Sequence, residues 1–557
     1  MITAGNDPTT EVLEAVNNTN ADCFINYRMN DHHNTTTDKE NADNDRTGYP
    51  THSAFWLENE DEYGVSLSGY RVLNYMAPHI RDHYFAILEE LATNYIDYID
   101  GLELDFDRYF IYFNSNEVSQ GKEILSDFVA RVRDMLNRLS VKHGKYLQLS
   151  VRIPGQTKKC DNYGIDAMTW DARGIVDLIG LSNHYFNTFD IDIEAFIENN
   201  EANSRARANI NGEIHYNSYQ EGVQNVASNG SISNSTYRRY LTREGYFATA
   251  QNFLSRGADG IHLFNVLYSG NRLKLYPQLA VLNDKEALAA AEKCYIMERS
   301  AQKDTFAGTG SLNAYIGFKH AKSGAYKLRI PENMSLFTKA VLKLEHDAVE
   351  DAQAQISVTW SSDTVAATEL KRIYPDSVEL FEPLASNQSY TTEAEAAFFE
   401  VPLELMTATD DIYTFTFESD KTLCSAELAL YNDNIMSGMN PGFSQETNHM
   451  TVTDSGATVA ITQSDASQDG DGYVLSVTNR TKDVAGGKFE NVSFTGGKMY
   501  VVSAFAKLVN ASDNGIKAKI RVEAGTKSEI GNEFELNSEN WTRVFFYYDL
   551  TNHSIMN

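Results

Sequence analysis

The sequence predicts an α/β barrel of the TIM type in its N-terminal half, followed by two all-β sandwich domains. Up to about residue 300, short apolar strands alternate with longer amphipathic helices; from residue 304 onward, strand-like alternation continues without helices between the strands. The first pattern is typical of a parallel sheet, and the second of antiparallel sandwiches. We therefore expect domains at 1–300, 304–432 and 436–557.

Six strands are readable in the first domain, at 22–30, 99–107, 146–153, 177–184, 210–216 and 260–266. Helices are predicted between and after them, at 9–18, 79–98, 123–140, 243–256 and 284–299. Polar residues cluster at the C-terminal ends of the strands, where TIM barrels carry their sites. No GxGxxG or P-loop pattern follows a strand, which favours the barrel over a doubly wound nucleotide-binding sheet and predicts no cofactor.

A complete barrel has eight strands, and only six are readable. If 260–266 is the eighth strand, the first two are missing, and we interpret the barrel as N-terminally incomplete. The last domain stops just after a strand and is interpreted as truncated as well. The alternatives are an unusual smaller barrel, or strands hidden in the polar segment 33–75.

The strand at 99–107 is the strongest candidate for an active-site strand. Its side chains alternate, so one face is apolar and the other carries three carboxylates, which are Glu103, Asp105 and Asp107. Acids about 7 Å apart cost free energy unless a proton, a metal ion or a cationic centre compensates them. The alternative is an exposed edge strand whose acids are solvated.

Composition excludes several classes of partner. The formal net charge is −30, from 77 acidic and 47 basic residues, which argues against binding nucleic acid or an anionic membrane surface. No apolar run is long enough to span a membrane. Four scattered cysteines, Cys23, Cys160, Cys294 and Cys424, predict neither a disulfide framework nor a zinc site. No leader peptide is visible, so the protein is either cytosolic or the sequence begins after its leader.

Four segments of the last domain carry a resemblance. NPGF (440–443), GYVLSVTNRT (472–481), GGKMYVVSAFAKL (496–508) and NWTRVFFYY (540–548) resemble, in order and spacing, the CenC-like carbohydrate-binding domains of families 4, 9 and 22. The resemblance implies that aromatic side chains stack on the sugar rings of a glycan chain. A jelly-roll spacer is the alternative.

Three segments of the first domain resemble the glycosyl hydrolase-like barrels described as family 10-like. These are DGLELDFDRYF (100–110), GADGIHLFNVLY (257–268) and LAVLNDKEALAAAEKCY (279–295). The DGxExDxD spacing is also similar to the DGxDxDxE strand of family 18 chitinases. In that comparison Asp107 stands at the position of the acid, and Glu103 stands where Asp is usual.

Cleavage of a glycosidic bond needs one carboxylic acid and one carboxylate. We expect Asp105 or Asp107 to be the acid/base and Glu213, in NINGEIHY, to be the nucleophile or base, with Glu103 in support. Counted back from 260–266, these acids lie on strands four and seven, which resembles the placement in the large clan of retaining glycosidases. The alternative for Glu213 is a salt-bridged acid of the barrel wall.

Ten further residues near strand ends are predicted to bind substrate: Arg28, Asp31, His32, Arg108, Tyr109, Arg152, His184, Tyr185, His215 and Asn265. Adjacent histidines on a strand face opposite ways, so His32 and His33 do not predict a metal site. Trp56 and Trp170 are either stacking platforms or core residues.

Taken together, the sequence predicts a secreted or cell-surface glycoside hydrolase whose partner is a polysaccharide or oligosaccharide. One alternative is a family 18 chitinase-like hydrolase that uses the acetamido group of its substrate. Another is a non-catalytic glycan-binding protein with a decayed barrel.

Overall fold

A computed structural model of the protein describes residues 7–19, 21–31, 53–67, 70–108, 110–182, 187–189, 191–226, 232–264, 280–283, 285–297, 321–347, 354–373, 394–432, 450–452, 456–463, 473–482, 485–490, 492, 494, 499–510, 515–524, 527–538 and 542–550. Contacts divide the chain into two compact units. The first consists of residues 1–372 and 381–430, and the second of residues 373–380 and 431–557.

The first part of unit 1 alternates between helices and strands. In chain order its elements are α1 (Pro8–Asn17), β1 (Phe24–Arg28), α2 (Ala54–Tyr63), β2 (Gly64–Leu67), β3 (Tyr70–Leu73), α3 (Pro78–Asn94), β4 (Gly101–Asp105), α4 (Val118–His143), β5 (Gln148–Pro154), α5 (Thr157–Tyr163), α6 (Ala167–Ala172), β6 (Leu178–Ser182), α7 (Ile193–Ala202), β7 (Asn209–His215), β8 (Asn217–Val226), β9 (Ile232–Tyr240), α8 (Arg243–Ser255), β10 (Gly260–Phe264), α9 (Lys285–Ala290) and β11 (Lys293–Met297).

Six of these strands form one sheet in the order β1-β4-β5-β6-β7-β10, and every neighbouring pair is parallel. The sheet is a half-barrel flanked by helices. All six predicted strands of the first domain are therefore confirmed, and none of their ends is shifted by more than two residues. The acidic strand β4 lies between β1 and β5, so it is not an exposed edge strand.

Helix α4 shows how the sequence specifies one of the flanking helices. Leu125, Phe128, Val129, Val132 and Leu136 recur at helical spacing and are all buried, so one stripe of the helix faces the core. The helix ends at Gly144, whose φ of 67° is a left-handed conformation that suits glycine. Burial of this stripe, more than helix propensity, fixes the helix in place.

One expectation for this part needs correction, and the alternative that placed hidden strands in the segment 33–75 is met in part. The segment at 284–299 is not one helix: α9 ends at Ala290, and the apolar run after it forms β11, which pairs antiparallel with a later strand. The polar segment 33–75 does contain strands, but β2 and β3 pair only with each other and add nothing to the parallel sheet. The hairpin of β8 and β9 was not predicted at all.

The remainder of unit 1 is all-β, as predicted. Its strands are β12 (Ala321–Arg329), β13 (Lys339–Asp347), β14 (Ile356–Ser362), β15 (Thr368–Glu369), β16 (Lys371–Ile373, whose last residue falls in unit 2), β17 (Ala394–Glu400) and β18 (Ile412–Tyr431). With β11 they make an eight-stranded sheet, in which β18 pairs antiparallel with β11, β12 and β14. Its core includes Trp360, Phe415 and Phe417.

Helix α8 belongs to both halves of unit 1. Its residues from Arg243 to Ala250 are all buried. Tyr246 and Phe253 contribute to the core beneath the parallel sheet, whereas Ala248 belongs to the core of the antiparallel sheet. One helix, α8, therefore contributes to the hydrophobic cores of both sheets.

An ion-pair network also links the two sheets. Glu194 on α7 accepts hydrogen bonds from Arg256, just after α8, and from Arg329 at the end of β12, both at 2.6 Å. Burial raises the pKa of Glu194, but its bonds to Arg256 and the charge of Arg329 outweigh burial and lower the pKa to about 2. The carboxylate is thus ionised at neutral pH and holds both cations.

In its described residues, unit 2 contains short strands: β19 (Met450–Val452), β20 (Thr458–Gln463), β21 (Tyr473–Thr478), β22 (Gly487–Phe489), β23 (Met499–Ala506), β24 (Lys517–Ala518), β25 (Arg521–Ala524), β26 (Lys527–Ile530), β27 (Phe534–Glu535) and β28 (Thr542–Asp549). The longest antiparallel pair joins β23 to β28, and the all-β prediction is confirmed. Within the described ranges, none of the helices combines the length and apolar character that a membrane crossing requires.

Candidate active site

The carboxylates of β4 project from one face of the parallel sheet, in two layers. In the first layer, Asn26, Glu103 and Ser150 lie side by side on β1, β4 and β5. Asn26 Nδ2 donates to one oxygen of Glu103 at 2.6 Å, and Ser150 Oγ donates to the other at 2.8 Å. Glu103 is thus held by neutral donors, apart from the cluster formed by the other acids.

The second layer is organised by the guanidinium of Arg152 on β5. Its Nη1 donates to Asp105 at 2.8 Å, its Nε donates to Glu213 at 2.5 Å, and its Nη2 lies 3.5 Å from Asp107. The side chains of all four residues are at most 2% exposed. Three of the predicted acids and one predicted substrate-binding residue therefore meet in a single buried cluster, which we call the Arg152 cluster.

The cluster supplies the positive charge that closely spaced acids such as those of β4 require. Charged groups removed from water are stable only when they are paired and hydrogen-bonded. Burial lowers the pKa of Arg152, but Asp105 and Glu213 outweigh it and hold this pKa well above its ordinary range. Arg152 is therefore a permanent cation among the acids, and most of its donors are used by protein side chains.

Glu213 on β7 is the most completely bound of the acids. Its Oε1 accepts from Ser182 Oγ at 2.7 Å and from Arg152 Nη2 at 2.9 Å, and its Oε2 accepts from Arg152 Nε. Burial raises its pKa, but the charge and hydrogen bonds of Arg152 outweigh burial, so the pKa lies below its ordinary value. Glu213 is an ionised carboxylate at neutral pH.

Asp107 has the opposite electrostatic balance. Its side chain is fully buried, and burial raises its pKa to about 6 although Arg152 and Lys159 act to lower it. Two acids that contact one guanidinium thus differ in their affinity for a proton. Such a pair of environments is the usual arrangement of an acid and its opposing base.

Asp105 stabilises the backbone turn at the end of β4. Its Oδ1 accepts from the backbone N–H groups of Asp107 and Arg108, at 3.0 and 2.9 Å, as well as from Arg152. These bonds fix the turn that follows β4 and so position Asp107. Its Oδ2 is buried and accepts no hydrogen bond from the described residues.

Three members of the site were not predicted. Ser182 bonds Glu213, Phe264 lies under the guanidinium of Arg152 at 3.9 Å, and His262 Nδ1 lies 3.9 Å from Glu213 Oε2. His262 and Phe264 occupy alternate positions of β10, so their shared face was visible in the sequence. Which strand they would face was not, because that depends on the register of β10 beside β7.

Other predicted residues lie elsewhere. Arg28 and Asp31 form a partly exposed ion pair at 3.1 Å with each other. Arg108 is buried beside the turn, and the His215 ring lies 5.6 Å from that of Phe264. Trp56 and Trp170 are both buried, and Trp170 donates to Ser126 in the core, so neither is an exposed stacking platform. His32, Tyr109, His184, Tyr185 and Asn265 lie outside the described residues.

The described residues offer no group of three histidine, cysteine, aspartate or glutamate side chains arranged to hold a metal ion. The central guanidinium occupies the position among the acids that a cation would take. What the arrangement can do chemically is donate a proton from Asp107 while Glu213 stays ionised.

Comparison with known families gives a match in unit 2. Residues 436–556 match the family described as "Carbohydrate binding domain". This agrees with the resemblance seen in the four sequence segments of that region. The C-terminal part of the chain is thus similar in sequence to carbohydrate-binding domains. No curated protein matches the chain in sequence.

Solved structures of glycoside hydrolases show distant similarity. A family 18 N-acetylglucosaminidase from Paenibacillus barengoltzii is 10% identical, with 34% of this chain and 72% of that chain covered and a TM-score of 0.25. The chitinase ChiW from Paenibacillus sp. strain FPU-7, a cell-surface-expressed multi-modular enzyme, is 10% identical, with 63% and 40% covered and a TM-score of 0.29. A family 18 chitinase from Chromobacterium violaceum is 12% identical, with 64% and 73% covered and a TM-score of 0.20. Scores this low do not carry those activities to this chain.

Proposed function

We propose that this protein is a glycoside hydrolase that cleaves O-glycosidic bonds of a polysaccharide with two carboxylates. Asp107 is the general acid, and Glu213 is the nucleophile or the general base. The observation that carries the proposal is the Arg152 cluster, in which one guanidinium contacts two buried acids whose pKa values are displaced in opposite directions. Breaking a glycosidic bond requires an acid and an ionised carboxylate on the two sides of the bond.

The distances within the cluster favour a retaining reaction. Arg152 Nη2 lies 2.9 Å from Glu213 Oε1 and 3.5 Å from Asp107 Oδ2. Those two oxygens cannot be farther apart than the sum of these distances, which is less than the separation of about 6.5 Å or more that inverting enzymes use to admit a water. Glu213 would then attack the sugar directly and form a covalent intermediate.

Two wider features belong to the same proposal. The carbohydrate-binding domain match at 436–556 supports a glycan as the substrate, because such a domain would hold the polymer that the half-barrel cleaves. We also propose that the half-barrel is part of a complete (β/α)8 barrel of the family 10-like type. A polymeric substrate favours action outside the cell, as a secreted or surface-bound enzyme.

A glycan panel tests the proposal. The whole chain is incubated with plant, algal and bacterial polysaccharides beside the double variant Asp107→Asn/Glu213→Gln, and new reducing ends and binding are both measured. We expect the wild type to cleave at least one glycan, and the double variant to bind that glycan without cleaving it. Binding without cleavage by the wild type would instead identify a glycan-binding protein, and equal cleavage by both chains would remove the two acids from the mechanism.

The pH dependence of the wild type is a separate prediction. Asp107 must be protonated and Glu213 ionised, so kcat/KM should rise as the pH increases through the lowered pKa of Glu213. It should fall again as the pH passes about 6, the pKa of Asp107. The measurement is kcat/KM between about pH 3 and pH 9. A rate that keeps rising above pH 7 would contradict the assignment of Asp107 as the acid.

A further inference from the structure

His262 is the partly exposed neighbour of an otherwise buried cluster. Its side chain is 24% exposed, whereas that of Glu213 is 2% exposed. The two residues are paired in register on the adjacent strands β10 and β7. A ligand that reaches Glu213 along this part of the sheet therefore meets the imidazole of His262.

The carboxylate of Glu213 has one acceptor position left, and that position is on Oε2. An ionised carboxylate offers about four lone-pair positions. Two are used on Oε1, by Ser182 and Arg152, and one is used on Oε2, by Arg152. Oε2 is also the oxygen nearest to His262, at 3.9 Å from Nδ1.

That distance is too long for a direct hydrogen bond, yet short enough for a single oxygen atom to contact both groups. Among the described residues, Glu213 is the charged group that lies within 4.0 Å of His262 Nδ1, and no hydrogen bond of His262 with them is present. Among the described residues, Arg152 and Ser182 on β6 are the polar groups that hydrogen-bond Glu213 beside this gap. Both sides of the gap can thus hydrogen-bond a hydroxyl group.

Gly180 on β6 makes room for this arrangement. A Cβ atom built on Gly180 would lie 2.7 Å from His262 Nδ1, closer than real Cβ contacts. The three nearest heavy atoms of the described residues, at 2.7 to 3.8 Å, all belong to the His262 ring. The absence of a side chain at 180 therefore allows the imidazole to lie where it faces Glu213.

We propose that Glu213 Oε2 and His262 Nδ1 together bind one hydroxyl oxygen: a hydroxyl group of the glycan when substrate is bound, and a water molecule when it is not. The inference rests on the proposed function for its substrate class, and it adds His262 as a residue that touches the substrate. It also identifies Oε2 as the atom of Glu213 that is presented to the ligand.

Three replacements of His262 separate hydrogen bonding from packing. His262→Asn keeps a donor near the position of Nδ1, His262→Gln moves the donor toward the position of Nε2, and His262→Leu removes it. We expect the leucine and glutamine variants to lose about 10- to 100-fold in kcat/KM, the effect of one well-placed hydrogen bond, and the asparagine variant to retain most activity. Leu263→Ala, on the next residue of the strand, should leave kcat/KM unchanged. Equal losses in the asparagine and leucine variants would overturn the proposal.

Gly180→Ala gives an independent check. It replaces neither His262 nor Glu213, but its methyl group displaces the imidazole ring of His262. It should lower kcat/KM about as much as His262→Leu does. No effect would mean that the position of the ring does not matter and would contradict the proposal.

A crystal structure of the whole chain without glycan tests the same proposal without relying on catalysis. An ordered water within hydrogen-bond distance of both Oε2 and Nδ1 is expected. A direct contact between the two side chains, or a water bound to neither, would overturn the shared hydroxyl position even if the protein cleaves glycans. If the bridging water is present but no glycan is cleaved, the proposed hydrolase function fails and the shared position stands.

Discussion

The Glu213→Gln variant is expected to lose kcat/KM by about a thousandfold or more, because the amide can neither attack the sugar nor accept a proton from water. Glutamine is nearly isosteric with glutamate, and its oxygen can still accept hydrogen bonds from Ser182 and from Arg152 Nη2, whereas its amide nitrogen replaces the oxygen that accepts from Arg152 Nε. The thermal unfolding of the variant is therefore measured as well, and a native-like transition assigns the loss to chemistry. Hydrolysis of the glycan identified by the panel gives the measurement, with the exposed acid Glu89→Gln on α3 as the matched control.

Variants of Glu213 also distinguish a mechanism with an enzymic nucleophile from one in which the substrate supplies the nucleophile. If Glu213 is the nucleophile, a Glu213→Ala chain should recover part of its rate when azide is added, because a small anion can fill the vacated position and attack the sugar. If Glu213→Gln is tolerated while Asp107→Asn is not, the substrate supplies its own nucleophile, as in the chitinase-like alternative. That result would remove Glu213 from the covalent step.

Replacement of Arg152 should give the largest loss of stability. Arg152→Met keeps much of the side-chain volume but leaves Asp105, Asp107 and Glu213 without their shared cation. Breaking a buried ion pair by removing one partner costs about 3–5 kcal/mol. Urea unfolding in a Trp541→Phe background measures this cost, since the other three tryptophans, Trp56, Trp170 and Trp360, all belong to unit 1.

A surface arginine provides the control for this experiment. Arg131 pairs with Asp82 at 2.5 Å, but both side chains are about half exposed, and such pairs contribute between zero and about 1 kcal/mol. The cost of Arg152→Met should also shrink as the pH falls and Asp107 and Glu213 become neutral. If both replacements cost the same, or if the cost does not depend on pH, the Arg152 cluster is not held by its charge.

The sequence was a good guide to local structure and to which polar residues lie together at the strand ends. Alternation of apolar residues predicted the six parallel strands, and strand-end polarity singled out Asp105, Asp107, Glu213 and Arg152. These features depend on residues close together in the chain. The strand β11 was mistaken for helix because Cys294, Tyr295 and Ile296 become strand only by pairing with β18, more than 120 residues away.

Sequence reasoning could not assign the partners within the site. Arg152 was expected to bind substrate, yet its donors are taken by acids 47 and 61 residues away, Asp105 and Glu213. His262 was overlooked for a similar reason, since a histidine on a strand gains a role only from what the neighbouring strand places opposite it. Periodicity gives the face of a strand, but the register between strands is set by the whole sheet.

The shared helix α8 has a consequence for how such proteins can be recombined. Because this helix packs into the cores of both sheets, a gene fusion that kept the half-barrel and discarded the antiparallel sheet would leave Ala248 and its neighbours facing water. We expect the two sheets to be kept together in gene fusions. For the same reason we expect them to unfold together. Residues 432–557 follow the last strand of these sheets, so a gene fusion that exchanges this part of the chain should keep α8 and both sheets together.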